Sequence, residues 1–271
     1  MTIHADLALA RQLERTEATI SAGFVEVHAR STPERRTTWH DFTGTWAMFD
    51  GVGSPMTQTF GLGLDGPVTA SLLGDLERFF ADRGADTDHE VCPLAGVAAL
   101  ALLVERGYLP HELSSVLVLD LGDAAWTSSA AALVSRQCEG RDRVRWIDAA
   151  VAGWAPPPGA EELTRDLATA AFDNPALIAV VVELDGGFVA TGALGIVDGV
   201  CLLAGASTLP SQRGRGGQTS LLAHRLTLAR EQGCSLAMVV TEPGSASQRN
   251  AERNGFQVAY TRTKWRRGSG R

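Results

Sequence analysis

The chain has 271 residues, which is enough for one large domain or two modest ones, each with its own core. Hydrophobic residues make up 45% and charged residues 20%, as in a typical soluble globular protein, and the longest apolar run, 94–104, is too short for a membrane span. With no secretory signal pattern and a net charge of −7, we expect a cytoplasmic protein with neither a membrane nor nucleic acid as its partner.

The first half of the sequence alternates between helical and strand-like patterns. Apolar residues at helical spacing predict an amphipathic helix over residues 5–22, and a mixed segment with weak periodicity follows to residue 54. Turn residues then separate shorter apolar runs. In chain order, these runs predict a strand at 57–64, a helix at 69–83, a strand at 89–92, a helix at 94–106 and a strand at 116–121.

The second half begins after a low-information segment, 122–140, which we interpret as the domain junction. Asp185-Gly186-Gly187 lies between two apolar runs and is a strong hairpin signal. In chain order, the pattern predicts strands at 177–184, 188–196 and 200–209, a helix at 218–232, a strand at 235–241, a helix at 245–254 and a strand at 256–265.

The two halves resemble each other at an offset of 149 residues. The Ser-Leu-Leu tripeptide at 71–73 aligns with the one at 220–222, and weaker matches follow in the same order of strands and helices. We therefore predict a duplicated α/β unit, with one domain at 1–137 and the other at 138–271. One continuous sheet with accidental similarity is the alternative.

A glycine-rich segment joins the predicted strand at 200–209 to the predicted helix at 218–232. Backbone N–H groups at a helix start lack intrahelical partners, and the helix dipole there favours an anion. Glycines let the backbone curl around such an anion with no Cβ in the way. The segment therefore predicts a phosphate or pyrophosphate site, and a solvated surface turn is the alternative. Its residues are Arg213, Gly214, Arg215, Gly216, Gly217 and Gln218.

At these residues the chain resembles the GNAT superfamily of N-acetyltransferases. The phosphate-loop pattern of that family, Q/R-x-x-G-x-G/A, is matched by Arg213 and Gly216, whereas Gln218 stands where glycine or alanine is usual. The resemblance covers about residues 165–267 and extends weakly, through the repeat, to about 57–121. A duplicated chain with one degenerate half is similar to the tandem GNAT proteins.

The resemblance implies a mixed α/β fold, with an α+β mixed sheet and two GNAT-like domains in tandem, of which the N-terminal one is degenerate. It implies direct transfer of the acetyl group of acetyl-CoA to a small-molecule or peptide amine, with no metal. The pyrophosphate would bind the loop amides, and the pantetheine arm would pair with the preceding strand. The implied binding residues are Ala206, Ser207, Thr208, Arg213, Gly214, Arg215, Gly216, Gly217, Gln218, Thr219 and Ser247.

The catalytic residues are less well specified by the resemblance. Many family members protonate the departing sulfur with a tyrosine at the position of Ala251, so that acid is missing here. Candidates for the base are Glu242, which follows the predicted strand 235–241, and Tyr260, which we expect to face the same cleft. A solvated charge and ordinary strand packing are the alternative interpretations. The sequence specifies neither the acceptor nor the oligomeric state.

Two other functions remain open. Residues 61–66 match G-x-G-x-x-G, as in a nicotinamide-dependent oxidoreductase, although Pro67 stands where the helix donors should begin. A non-catalytic acyl-CoA-binding module also fits the glycine-rich loop. Because Lys264 is the only lysine, pyridoxal-phosphate and P-loop chemistry are nearly excluded, and the cysteine and histidine spacings predict no metal site. The basic C-terminal residues are interpreted as a solvated tail: Arg262, Lys264, Arg266, Arg267 and Arg271.

Overall fold

The structure is a computed structural model, and it describes residues 3–122 and 133–268. The chain folds into two compact units. The first unit comprises Met1–Leu119 and Met238–Arg271, and the second comprises Asp120–Ala237. These units group the chain by packing, whereas the predicted boundary between residues 137 and 138 concerns the duplication and stays a prediction.

The first unit contains a mixed sheet with helices. Its helices are α1 (Leu7–Ser31), α2 (Ala70–Ala81), α3 (Val97–Glu105) and α7 (Ala246–Arg253). Its strands are β1 (Thr38–Phe42), β2 (Thr45–Phe49), β3 (Gln58–Phe60), β4 (Thr87–Val91), β5 (Leu109–Asp120), β11 (Gln257–Arg267) and most of β10 (Leu236–Thr241). Neighbouring strands follow the order β1-β2-β3-β4-β11-β5. All these pairs are antiparallel except β3 with β4.

Amphipathic helices supply much of the core of the first unit. In α2, apolar residues three and four positions apart form one buried stripe, which includes Leu73, Leu76 and Phe80. Helix α1 starts at Asp6, whose side chain accepts a hydrogen bond from the amide of Leu9. Because Val25 and Val27 remain buried, α1 continues well past the predicted end at residue 22. The sequence-based end of this helix is therefore wrong by more than two turns.

The second unit is an antiparallel meander covered by helices. Its strands are β6 (Val134–Gln137), β7 (Leu177–Leu184), β8 (Gly187–Val197) and β9 (Val200–Thr208), and its helices are α4 (Arg143–Trp154), α5 (Glu161–Asp173) and α6 (Gly217–Glu231). Each strand pairs with the next one in the chain. Asp185 and Gly186 both have positive φ, as a two-residue turn of the hairpin type requires, so the predicted hairpin is confirmed.

Other predicted boundaries need correction. Strand β3 covers three residues of the predicted 57–64, and β5 begins at Leu109, well before residue 116. The predicted junction 122–140 lies partly outside the described residues, and its described part includes β6. No element was predicted for α4 or α5, although Trp146, Ile147 and Ala150 have the spacing of a buried helical face.

The predicted solvated tail is wrong for Arg262, Lys264, Arg266 and Arg267, which belong to β11 of the first unit, whereas Arg271 lies outside the described residues. Arg262 is 1% exposed, and its guanidinium forms ion pairs with Glu14, Glu17 and Glu90. Lys264, also buried, lies 3.3 Å from Glu90. Burial raises the pKa of Glu14 to about 7, while Arg262 acts in the opposite direction. Buried charges of opposite sign thus compensate one another inside this unit.

Candidate functional site

The glycine-rich loop of the second unit has the backbone that its sequence predicts. After β9 the chain makes a short 3-10 turn at Pro210–Gln212, and α6 begins at Gly217. Gly214 has a φ of 77° and Gly216 a φ of 85°, in the left-handed region that side chains with a Cβ rarely adopt. An added Cβ at Gly214 would meet no atom within 4 Å, so open space lies beside the loop there.

The first amides of α6 are available to a ligand. The N-cap residue, Gly216, has no side chain to accept from them, and the first helical hydrogen bond runs from Ser220 N to Gly216 O over 2.9 Å. Within the described part of the chain, the amides from residue 214 to residue 219 have no hydrogen-bond acceptor. Unpaired donors at the positive end of a helix are the arrangement that binds phosphate groups.

Arg213 is exposed, but its guanidinium is bonded to the backbone of two neighbouring elements. Its Nε donates to the carbonyl oxygen of Thr208 over 3.3 Å, and its Nη2 donates to that of Gly153 over 3.0 Å. Arg213 therefore ties the loop to the end of β9 and to the last turn of α4. Arg215 is exposed, with its Nη1 bonded to Gln212 Oε1 over 3.3 Å. Of these two arginines, Arg215 has the freer guanidinium.

Gln218 has a structural role that accounts for its presence in place of glycine or alanine. Its Nε2 donates to Thr208 Oγ1 over 2.9 Å, which fixes the first turn of α6 to the end of β9. Thr208 pairs with Ala190 of β8 in the strand ladder. The predicted loop residue and the predicted strand residue are thus brought into direct contact.

The end of β9 departs from regular pairing. Thr191 of β8 pairs with Ser207, but Ala193 pairs with Ala204, so Gly205 and Ala206 together oppose a single residue. This is a β-bulge, in which an extra residue bends the strand and re-aims its backbone. Ala206 is exposed there, whereas Ser207 is buried and its hydroxyl bonds to that of Thr191 over 2.9 Å.

A buried arginine of α6 was missed by the sequence analysis. The side chain of Arg225 is enclosed, and its Nη1 reaches the carbonyl oxygens of Ala193 and Ala204 next to the bulge. The available signal was a basic residue within the apolar stripe that includes Leu221 and Leu226. Its placement beside the bulge could be recognised only in the folded chain.

The remaining predicted site residues lie in the first unit. Glu242 is exposed after β10, and Ser247 is exposed on α7. Glu242 lines a cavity of about 720 Å³ together with His111, Glu112 and neighbouring residues. Tyr260 is buried, and its hydroxyl donates to Glu14 Oε1 over 2.9 Å.

Burial raises the pKa of Tyr260 well above its usual range. The hydroxyl therefore stays protonated and is engaged with Glu14, which differs from the exposed position that we expected in a cleft. A catalytic role for Glu242 or Tyr260 stays a prediction. Ala251, at the position of the usual family tyrosine, is also buried.

The loop at 61–66 in the first unit does not have the arrangement of a dinucleotide site. Leu62 and Leu64 are buried within it, and α2 begins only at Ala70. Thr69 caps that helix, with its Oγ1 accepting a hydrogen bond from the amide of Leu72 over 3.1 Å. Since the cap already occupies one of the helix-start donors, this geometry disfavours the oxidoreductase alternative.

The described residues contain neither a candidate metal cluster nor a candidate membrane-spanning helix. In residues 3–122 and 133–268, no cluster of three histidine, cysteine, aspartate or glutamate side chains has the arrangement of a metal site. Across the same ranges, none of the helices combines the length and the apolar character that crossing a bilayer requires.

Comparisons with known proteins connect this geometry to a family. Residues 143–256 match the profile of the Acetyltransferase (GNAT) family, and this segment includes the whole glycine-rich loop. No curated protein matches the chain.

Solved structures match almost the whole chain. A GCN5-related N-acetyltransferase from Kribbella flavida is 21% identical, with a TM-score of 0.68 and coverage of 97% of this chain and 96% of the other. A GCN5-related N-acetyltransferase from Sphaerobacter thermophilus is 16% identical, with a TM-score of 0.60 and coverage of 99% and 95%. A tandem GNAT protein from the clavulanic acid biosynthesis pathway is 12% identical, with a TM-score of 0.62 and coverage of 96% of both chains. At these identities the likeness concerns the fold, which is that of tandem GNAT proteins.

Proposed function

We propose that the protein is an N-acetyltransferase that transfers the acetyl group of acetyl-CoA to an amine, a proposal supported by the match of residues 143–256 to the profile of the Acetyltransferase (GNAT) family. The observation that carries the proposal is the start of α6. A glycine-lined turn there leaves successive amides without acceptors in the described chain, at the positive end of the helix.

This geometry supports the binding residues that we propose. We assign the pyrophosphate to the amides of residues 214–219, where the missing Cβ atoms leave room for close approach. The pantetheine arm is assigned to the backbone of Ala206, Ser207 and Thr208, beside the bulge in β9. Ser247, which lies in the first unit, stays a predicted binding residue. Arg213 and Gln218 maintain the loop through their bonds to β9 and α4.

The reaction requires a neutral amine and a good leaving group. Acetyl-CoA supplies an activated thioester; the amine nitrogen bonds to its carbonyl carbon, the C–S bond breaks, and coenzyme A leaves as a thiolate. The proton that the amine nitrogen loses goes to a base. A thiol pKa of about 8.5 makes the thiolate a tolerable leaving group, so Ala251 is compatible with turnover.

We propose Glu242 as the base. Its carboxylate is exposed and lines a cavity of the first unit, as an acceptor for a proton should. Tyr260 fits this role less well, because its hydroxyl has a raised pKa and already donates to Glu14. The acceptor amine is a small molecule or a peptide, and the acidic net charge of the protein is compatible with a cationic acceptor.

Ligand-dependent thermal stability tests this proposal. Acetyl-CoA should raise the melting temperature and NADH should not, because a ligand that binds only the folded state stabilises that state by mass action. Stabilisation by NADH with no effect of acetyl-CoA would overturn the assignment in favour of an oxidoreductase.

The second candidate is a non-catalytic acyl-CoA-binding module, which the missing tyrosine at Ala251 favours. Incubation with acetyl-CoA and a panel of amines, followed by mass spectrometry of the products, distinguishes it from an enzyme. An acetylated amine whose formation depends on the protein supports the transferase. Binding of acetyl-CoA without product from any amine class supports the module.

A further inference from the structure

Arg225 is a buried cation in the second unit without a counter-charge. It is 3% exposed, and no carboxylate pairs with it in the part of the chain that the structure describes. Its Nε is buried and has no acceptor among the same residues. Burial lowers the pKa of the guanidinium to about 10. Such a group is unfavourable in a core, where an apolar side chain of similar length would fill the same space.

Among the described residues, the hydrogen bonds of Arg225 come from one nitrogen and go to two neighbouring strands. Nη1 donates to the carbonyl oxygen of Ala193 in β8 over 3.2 Å and to that of Ala204 in β9 over 3.4 Å. Ala193 and Ala204 form the last regular pair before the ladder shifts register. The arginine therefore joins the two strands at the edge of the bulge.

Gly192 makes room for the guanidinium. A Cβ added at this glycine would lie 3.1 Å from Nη1 of Arg225 and 3.1 Å from Cδ2 of Leu221. Gly192 is also the residue of β8 that Gly205 and Ala206 oppose. The absence of a side chain thus coincides with the position where the strands separate from regular pairing.

We propose that Arg225 is a positioning residue, which holds the Gly205–Ala206 bulge so that the backbone of β9 receives the acyl-CoA thioester arm. This inference rests on the proposed function, because it uses the assignment of Ala206 to Thr208 as the pantetheine strand. The bulge contains Gly205 with a φ of 59°, a left-handed conformation that glycine adopts without strain. The two carbonyl bonds from Arg225 flank this bulge and restrict the movement of the strands beside it.

The first test combines acetyl-CoA affinity with stability. In Arg225→Met the carbonyl bonds are lost but the volume is largely kept, so we expect the free energy of unfolding to be unchanged or higher. The dissociation constant for acetyl-CoA should rise by about tenfold or more, because the strand would no longer be held in its binding geometry. The matched control is Leu226→Met, a buried apolar exchange one residue along α6, which should leave the affinity unchanged.

Two further variants connect the effect to the bulge. Arg225→Lys should recover most of the affinity, because a single nitrogen makes both carbonyl bonds in the parent. Gly192→Ala should weaken binding in the parent by displacing the guanidinium, but much less in the Arg225→Met background. Additive effects of these two substitutions would contradict the proposed coupling.

Amide hydrogen exchange tests the positioning role without any ligand. In ligand-free Arg225→Met, the amides of Gly205 and Ala206 should exchange about tenfold faster than in the parent, while those of β7 should be unchanged. Unchanged exchange at the bulge would overturn this proposal even if acetyl-CoA binds the parent. Conversely, if the parent fails to bind acetyl-CoA, the proposed function fails, and the exchange result alone still decides whether Arg225 holds the bulge. If Arg225→Met unfolds more easily and retains its affinity, the arginine is structural only.

Discussion

Helices α2 and α6 align in the predicted 149-residue repeat, but they differ in whether an N-cap side chain accepts a hydrogen bond from a first-turn amide. At α2, the hydroxyl of Thr69 accepts from an amide of the first turn. Nearby, Asp65 places a carboxylate 2.9 Å from Arg11. At α6, Gly216 is the N-cap and contributes no side-chain acceptor, so amides remain available.

From this difference we expect the N-cap residue to decide whether the first-turn amides of a helix are free to bind an anion. A side-chain cap stabilises its own helix but occupies the donors that an anion needs. A glycine cap leaves those donors exposed and permits the left-handed turn before the helix. We call the start of α2 the closed start, because the side chain of Thr69 already occupies one of its amides. We call the start of α6 the open start, because Gly216 has no side chain that could do so.

The largest expected effect on acetyl-CoA affinity comes from a substitution that blocks the amides at the open start. Gly216→Asp should abolish measurable acetyl-CoA binding, because it places a side chain and a negative charge where the pyrophosphate is assigned. Isothermal titration calorimetry measures the affinity. The control is Gly233→Asp, which puts the same side chain at a glycine of similar positive φ just beyond the other end of α6. Parent-like binding by Gly216→Asp would exclude the loop as the site.

The second expectation is a stoichiometry of one acetyl-CoA per chain. At the offset of 149 residues, Pro67 aligns with Gly216 and Val68 aligns with Gly217. The closed start therefore has one backbone N–H donor fewer and one branched side chain more than the open start. Calorimetric titration of the parent gives this number directly. Two sites per chain would show that the closed start also binds, and the contrast between α2 and α6 would then be wrong.

A moderate loss of acetyl-CoA affinity is expected when the loop glycines are kept but the hydrogen bonds of Arg213 are removed. Arg213→Ala should lower the affinity for acetyl-CoA by about tenfold, less than Gly216→Asp, because it removes the bonds to Thr208 and Gly153 without filling the site. Arg215→Ala serves as the comparison at an exposed arginine of the same loop. A larger loss of affinity in Arg215→Ala would mean that the guanidinium of Arg215, and not the hydrogen bonds of Arg213, supports binding.

The smallest effect concerns the closed start itself. Thr69→Ala should lower the free energy of unfolding by about 1 kcal/mol through loss of the cap, with no change in acetyl-CoA affinity. Urea denaturation measures the first quantity, and Thr69→Ser, which retains a hydroxyl, is the control. A change in affinity on substituting Thr69 would indicate that α2 takes part in binding.

Sequence patterns predicted the parts of the site that depend on local chain chemistry. Turn glycines, the start of α6 and the hairpin at Asp185 are local properties, because a few neighbouring residues determine them. Partners distant in the sequence were not predictable in this way. The bond between Tyr260 and Glu14 joins residues 246 positions apart, so the pattern around Tyr260 gave no sign of it.

The roles of polar residues within α6 were also beyond the sequence. Gln218 departs from the family pattern, and its hydrogen bond to Thr208 explains why a glutamine stands there. Arg225 was not singled out from the sequence, because its carbonyl acceptors come from two strands and the space for its guanidinium comes from Gly192. Such roles depend on which strand lies under which helix turn, and periodicity does not contain that information.

The position of β11 has a consequence for the order in which the chain folds during synthesis. Strand β11 is paired on one edge with β4 and on the other with β5, although it ends at Arg267. The sheet of the first unit therefore cannot be completed before residues 257–267 have been synthesised, whereas the β7–β8–β9 meander needs only contacts between successive strands. Until β11 arrives, β4 and β5 expose unpaired edges on the ribosome, where nascent chains are vulnerable to aggregation.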